Sequence, residues 1–168
     1  SQKDIGSTFT VYLTLENSED LTTIDFYKHE HAHKPKKNVL LVDDYMPNIM
    51  VASGMIEQMG YSYDTAENGI AALKKFMSNK YDVILMDIQM HDLDGLQTTK
   101  RIREIEEEKN LARTSIIAMT AHVRDKDKQQ CLSIGMDNFI PKPFHPNELK
   151  EKLEFYINQN AGNQASSA

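Results

Sequence analysis

Val83-Ile84-Leu85-Met86-Asp87 is a run of four apolar residues closed by a carboxylate. A strand wetted on one face alternates apolar and polar residues. An unbroken run of this length is expected where both faces of a strand are covered. Two similar runs flank it. Val39-Leu40-Leu41-Val42 precedes Asp43-Asp44, and Ser115-Ile116-Ile117-Ala118-Met119 precedes Thr120. Tyr61 to Ala66 reads as another strand, and Phe139-Ile140 as a short one ending at Pro141-Lys142-Pro143.

The segments between these strands carry helical periodicity. Pro47 opens a helix whose inward positions are Ile49, the small Ser53, Ile56 and Met59, and Gly60 stops it. Asn68 to Met77 is predicted to turn Leu73, Phe76 and Met77 inward. Gly95 to Glu107 is predicted to turn Leu96, Ile102 and Ile105 inward. A weaker helix covers His122 to Ser133 and ends at Gly135. A last one places Leu149, Leu153 and Tyr156 on one face, followed by a frayed polar tail after Asn158. The pattern is βα repeated five times, which predicts an α/β fold: a doubly wound (βα)5 parallel sheet with helices on both faces.

Composition narrows the function classes. The chain has 168 residues and a formal net charge of -6, which weighs against a nucleic-acid-binding surface. The acidic run Glu104 to Glu108 is expected to be a solvated helix face. A lone cysteine, Cys131, excludes an internal disulfide framework and fits a reducing cytosol. No apolar run reaches membrane-spanning length, so no membrane contact by this stretch is expected. The start at Ser1 suggests a cytoplasmic fragment, which leaves open an inner-membrane anchor elsewhere in a parent protein. Ahead of the βα units, Phe9, Val11, Leu13 and Leu15 share one face of a strand. The polar stretch that follows holds His29, His31 and His33 at alternate positions, and it is read as a linker rather than a metal site.

A parallel sheet of this kind binds ligands beyond the carboxyl ends of its strands. Those ends carry Asp43, Asp44, Asp87, Thr120 and Lys142. One Asp at a strand end is an ordinary turn or cap residue. Five such groups at four strand ends of one sheet make a rim of three carboxylates, a hydroxyl and an ammonium. Clustered carboxylates repel, so a cation is implied. Oxygen ligands favour a hard ion, and Mg2+ suits phosphate chemistry because it keeps waters and bridges phosphate oxygens. The set suits phosphoryl transfer onto a carboxylate. A cofactor-binding protein of the same fold would need a glycine- and hydroxyl-rich phosphate loop after the first strand. Asp43-Asp44-Tyr45-Met46 is the opposite in charge.

Several of these stretches, taken in order, resemble the receiver domains of two-component response regulators. They are Val39 to Asp44, Ile84-Leu85-Met86-Asp87-Ile88-Gln89-Met90, Asp94-Gly95, Ile116 to Ala121, Gly135-Met136-Asp137, and Phe139-Ile140-Pro141-Lys142-Pro143-Phe144. The resemblance implies a flavodoxin-like receiver fold with strand order 2-1-3-4-5. It implies that Asp87 is the phosphoacceptor, and that Mg2+ is held by Asp44, Asp43, Asp87 and the backbone carbonyl of Gln89. It further implies that Thr120 and Lys142 contact the phosphoryl group, and that Phe139 is the aromatic switch. A cis Lys142-Pro143 bond is expected, turning the ammonium back into the rim. Two positions bear on tuning. His91 stands where such receivers usually have Pro, leaving the loop freer. His122 occupies a position that influences phosphoryl lifetime, or is simply exposed.

Ile5-Gly6-Ser7-Thr8-Phe9-Thr10-Val11-Tyr12-Leu13 resembles the final strand of a histidine-kinase ATP-binding domain. The implied layout is a kinase remnant over residues 1–16, a linker over 17–36, the receiver over 37–159 and a disordered tail over 160–168. The parent is then a bacterial hybrid sensor histidine kinase. This chain lacks the kinase active site and catalyses only its own phosphoryl acceptance and hydrolysis. The implied partners are the kinase's dimerisation domain, as phosphohistidine donor, and a histidine-phosphotransfer protein.

Overall fold

The computed structural model describes residues 37–121 and 125–165. The expected N-terminal strand, the 29–33 histidines and His122 lie outside the described residues.

Five parallel strands form one sheet: β1 (Asn38–Val42), β2 (Ser62–Ala66), β3 (Val83–Asp87), β4 (Ser115–Thr120) and β5 (Asn138–Pro141). Their order is β2-β1-β3-β4-β5, so β3 is central. The helices are α1 (Met46–Gln58), α2 (Gly69–Ser78), α3 (Gly95–Glu108), α4 (Asp125–Ile134) and α5 (Pro146–Ala165). This is the doubly wound fold and strand order expected from the sequence.

The unbroken apolar runs have a direct cause. Along β1, Leu40 and Val42 enter one core with Ala72, Phe76, Ile102 and Cys131, from α2, α3 and α4. Val39 and Leu41 enter the other with Ile49, Ile56, Leu149 and Leu153, from α1 and α5. Successive side chains point to opposite faces, so a doubly covered strand needs an apolar residue at each position. Each large side chain so buried contributes about 1.5–3 kcal/mol.

Helix faces differ from expectation in detail. Ala52, not Ser53, is the buried small residue of α1. In α2, Ala72 and Phe76 are buried while Met77 is 55% exposed. Among the described side chains of α5, Leu149, Leu153 and Ile157 are buried, with Tyr156 packed at their edge. The helical backbone continues to Ala165, past the frayed tail expected after Asn158. The acidic run is not uniformly solvated, because Glu106 is only 6% exposed. Gly60 and Gly135, the predicted stops, have φ of 81° and 105°, which side chains with a Cβ adopt at a cost.

Candidate functional site

Parallel register brings the carboxyl ends of the strands to one edge. Asp87 is the last residue of β3 and pairs with Met119, one residue short of Thr120. Asp43 and Asp44 follow β1 directly, and Lys142 follows β5. The Lys142-Pro143 bond is cis, as expected.

At this edge the Lys142 ammonium donates to Asp43 Oδ2 at 2.6 Å and lies 2.8 Å from Asp87 Oδ2. Its backbone N–H donates to the Thr120 carbonyl at 2.8 Å, so the β5 exit is tied to the β4 end. Asp43 and Asp87 are buried, and with Asp44 they present oxygens that all lie within 4.8 Å of one another. Three carboxylates face one ammonium, an excess of negative charge that a divalent cation would balance. All the candidate ligand atoms are oxygens, the donor set that Mg2+ prefers. The residues present therefore fit such an ion.

Electrostatics separate the carboxylates. Burial pushes the Asp87 carboxyl above its ordinary value, and Asp43 adds to the rise. The Lys142 ammonium and the Gln89 N–H, which donates to Asp87 Oδ1 at 3.3 Å, offset only part of it. Partial burial alone would raise Asp44, but it is held below its usual range by His91. The His91 N–H donates to Asp44 Oδ2 at 3.1 Å, and its Nδ1 lies 2.6 Å from the same oxygen.

Three further residues shape the site, two of them, Asp94 and Gly95, within a stretch already quoted for the resemblance. Asn48, in the first turn of α1, donates through Nδ2 to both oxygens of Asp43, at 3.1 and 3.2 Å. Asp94 caps α3 by accepting the Gln97 N–H at 2.7 Å, which fixes where the loop after Asp87 rejoins the fold. Gly95 then passes against β3 so closely that a Cβ there would collide with the Asp87 carbonyl oxygen. Gly95→Ala should therefore cost about 1–3 kcal/mol through overpacking and displace Asp87. Thermal melts read the cost. A melting temperature equal to that of the parent protein would show that the loop yields freely.

Phe139 sits on β5 beside Ala118, partly buried against the core that holds Ile88, Leu96 and Cys131. Lys128 and Lys152 place ammoniums 4.9 and 5.5 Å from its ring centre. Next to the acidic edge a cleft is lined by Ile88, Gln89, Leu96, Thr120, Asp127, Gln130 and Cys131. Tyr45, at the N-cap of α1, and Met46, Met50 and Val51 within it are exposed.

Comparison with known proteins places these features in context. Residues 39–154 match the family model of the response regulator receiver domain. Hybrid signal transduction histidine kinase L of Dictyostelium discoideum is 40% identical over 145 residues, covering 83% of this chain and 8% of that protein. A match covering 83% of 168 residues has to begin upstream of residue 39. This chain thus spans a small part of that relative's length. Among solved structures, the receiver domain of sensor histidine kinase PA1611 from Pseudomonas aeruginosa, described with a magnesium ion in its active site cleft, superposes with a TM-score of 0.65 at 35% identity. The match covers 73% of this chain and 98% of that one. The receiver domain of Saccharomyces cerevisiae Ssk1, in complex with the histidine phosphotransfer protein Ypd1, gives 0.67 at 30% identity, covering 70% of this chain and 86% of the matched one.

Proposed function

Because this chain belongs to the response regulator receiver domain family of two-component signal transduction, we propose that it is a phosphorelay acceptor in which Asp87 takes a phosphoryl group from a phosphohistidine and yields it to a histidine-phosphotransfer partner. The observation that carries this reading is the Lys142 ammonium bridging Asp43 and Asp87 beneath a third carboxylate. A structural ion pair would need one carboxylate; the excess of charge suits a cation and then an incoming phosphate.

Asp87 Oδ attacks phosphorus, the P–N bond breaks, and the departing imidazole takes up a proton. Asp43, Asp44, Asp87 and the Gln89 carbonyl would hold Mg2+, which when bound would supply positive charge to the phosphoryl oxygens. Lys142 pairs with another phosphoryl oxygen and the Thr120 hydroxyl donates to a third. Phe139 answers the movement of Thr120.

Acetyl phosphate with Mg2+ tests the assignment. Label should map to Asp87 alone and should not form after chelation; label on another residue would overturn it. Mg2+ binding itself should depend on Asp44. Titration into Asp44→Asn should show a large loss of affinity, and an unchanged isotherm would place the ion elsewhere.

For the partner, α1 supplies a suitable surface beside Asp87. Met46 and Met50 lie one turn apart, with Val51 adjacent, and Met50 is 69% exposed. Apolar side chains of this kind suit the flat apolar face of a helical partner. Met50→Lys should slow transfer to a histidine-phosphotransfer protein at least about tenfold, as loss of a central apolar anchor does. Acetyl phosphate labelling should be unaffected. Equal transfer rates would remove α1 from the interface.

We also assign the chain to a hybrid histidine kinase, with residues 1–16 as the last strand of the ATP-binding domain. The similarity to a hybrid histidine kinase supports the class of the parent protein.

A further inference from the structure

Phe139 lies on β5, an edge strand, where side chains from the helices of both faces reach it. Lys128 comes from α4 and places its ammonium 4.9 Å from the ring centre. Lys152 comes from α5, and its ammonium stands 5.5 Å from the same centre. Both fall within the roughly 6 Å over which the face of an aromatic ring attracts a cation. Lys152 is not a loose surface chain. Its side chain is 21% exposed, and its ammonium donates to Asn138 Oδ1 at 3.1 Å. Asn138 is held in turn. It donates through Nδ2 to the Tyr156 hydroxyl at 3.1 Å, and that hydroxyl donates to the Asp137 carbonyl at 2.9 Å.

The ring has a second place to go. It packs on the core that Ile88, Leu96 and Cys131 share, and those three residues also line a cleft of about 340 Å³ beside Thr120. A cavity of roughly 150 Å³ already accepts benzene. A ring that turned into the cleft would give up the two ammoniums.

We infer that Lys128 and Lys152 are positioning residues that clamp the Phe139 ring in its observed place by cation–π attraction, and so oppose the switch that phosphorylation of Asp87 drives. This rests on the phosphoacceptor reading of the proposed function and adds a restraint to it. Conformation and binding are linked. Whatever holds the ring out of the cleft lowers the fraction of molecules competent for the phosphoryl group, and the apparent affinity falls by that fraction. One such pair at a partly exposed site shifts a two-state equilibrium about two- to fivefold, and two together shift it on the order of tenfold.

The test titrates beryllofluoride, a phosphoryl mimic, with saturating Mg2+ into the full chain and into Lys128→Met, Lys152→Met, the double variant and Lys152→Arg. Methionine keeps the apolar stem and arginine keeps the cation. Each Met variant should bind the probe about two- to fivefold more tightly and the double variant on the order of tenfold, while Lys152→Arg should match the parent. Loss of positive charge by itself would weaken an anionic probe, so tightening reports the ring. A ring-trifluorinated phenylalanine in place of Phe139 withdraws electrons from the π face at nearly constant shape. It should tighten binding in the parent and add nothing in the double variant. The clamp is overturned if the Met variants bind no more tightly than the parent, if Lys152→Arg behaves like Lys152→Met, or if trifluorination tightens the double variant as much as the parent. A parent chain that binds no beryllofluoride would instead overturn the phosphoacceptor reading, and the clamp with it.

Discussion

An Asp87→Asn variant should take no label from acetyl phosphate and yet, without Mg2+, should melt at a higher temperature than the parent protein at neutral pH. The first half follows from removing the nucleophilic oxygen at nearly constant shape. The second follows from burial. Asp87 is 6% exposed, and its removal from water disfavours the ionised form more than Lys142 favours it, so the carboxyl titrates above its ordinary value. A carboxyl raised on folding adds stability below the unfolded pKa near 3.8, and that contribution is lost as pH rises through the folded value. At neutral pH the parent therefore carries a buried charge at a cost that a neutral amide avoids. Lys142 keeps its bond to Asp43 in the variant, so its ammonium is not stranded. The gain in melting temperature should vanish below about pH 4, and saturating Mg2+ should narrow it by stabilising the parent more. A lower melting temperature for the variant at neutral pH would show that the Lys142–Asp87 pair outweighs desolvation.

What was legible in the sequence was what one strand or one strand end carries. Val83 to Met86 announced a covered strand because each of its residues meets a core. Asp43, Asp44, Asp87 and Lys142 announced a site because parallel topology alone brings strand ends together. Helix faces were less legible where helix and sheet approach closely. There a small residue is buried, so Ala72 and Ala52 carry the contact and the bulkier Met77 turns outward. Contacts that depend on where elements are placed left no trace. Asn48 could not be assigned to Asp43 before the α1 start was placed, and His91 was visible as an odd residue but not as the partner of Asp44. Gly95 matters through a distance to the Asp87 backbone that no pattern encodes.

Glu106 is the sharpest case, and it leads to the largest expected loss of stability. Its mostly acidic sequence neighbours gave no hint that one carboxylate of the run is buried. The cause is Arg103, one turn earlier on α3. Arg103 Nη1 donates to Glu106 Oε2 at 2.6 Å and to the Thr114 carbonyl at 2.8 Å. Its Nε and Nη2 both donate to the Gly135 carbonyl, and Nη2 also reaches Asp137 Oδ2 at 3.0 Å. The two carboxylates in turn accept backbone N–H groups, from Thr114 at 2.7 Å and from Ile116 at 2.8 Å. One guanidinium thus ties α3 to the start of β4 and to the turn before β5. Arg103→Met keeps the apolar stem but leaves Glu106 charged and buried. Removing one member of a buried pair costs about 3–5 kcal/mol. For a domain of this size that lowers the melting temperature by on the order of 10 °C or more. Adding Glu106→Gln should restore part of the loss. The amide carries no charge, and its oxygen can still accept the Thr114 N–H. Phosphoryl acceptance at Asp87 should persist in both variants below their melting temperatures, because the network sits at the opposite ends of the strands. A loss below about 1 kcal/mol for Arg103→Met would place the pair among weak surface ion pairs. No recovery in the double variant would instead assign the loss to the three strand and turn contacts rather than to the stranded charge.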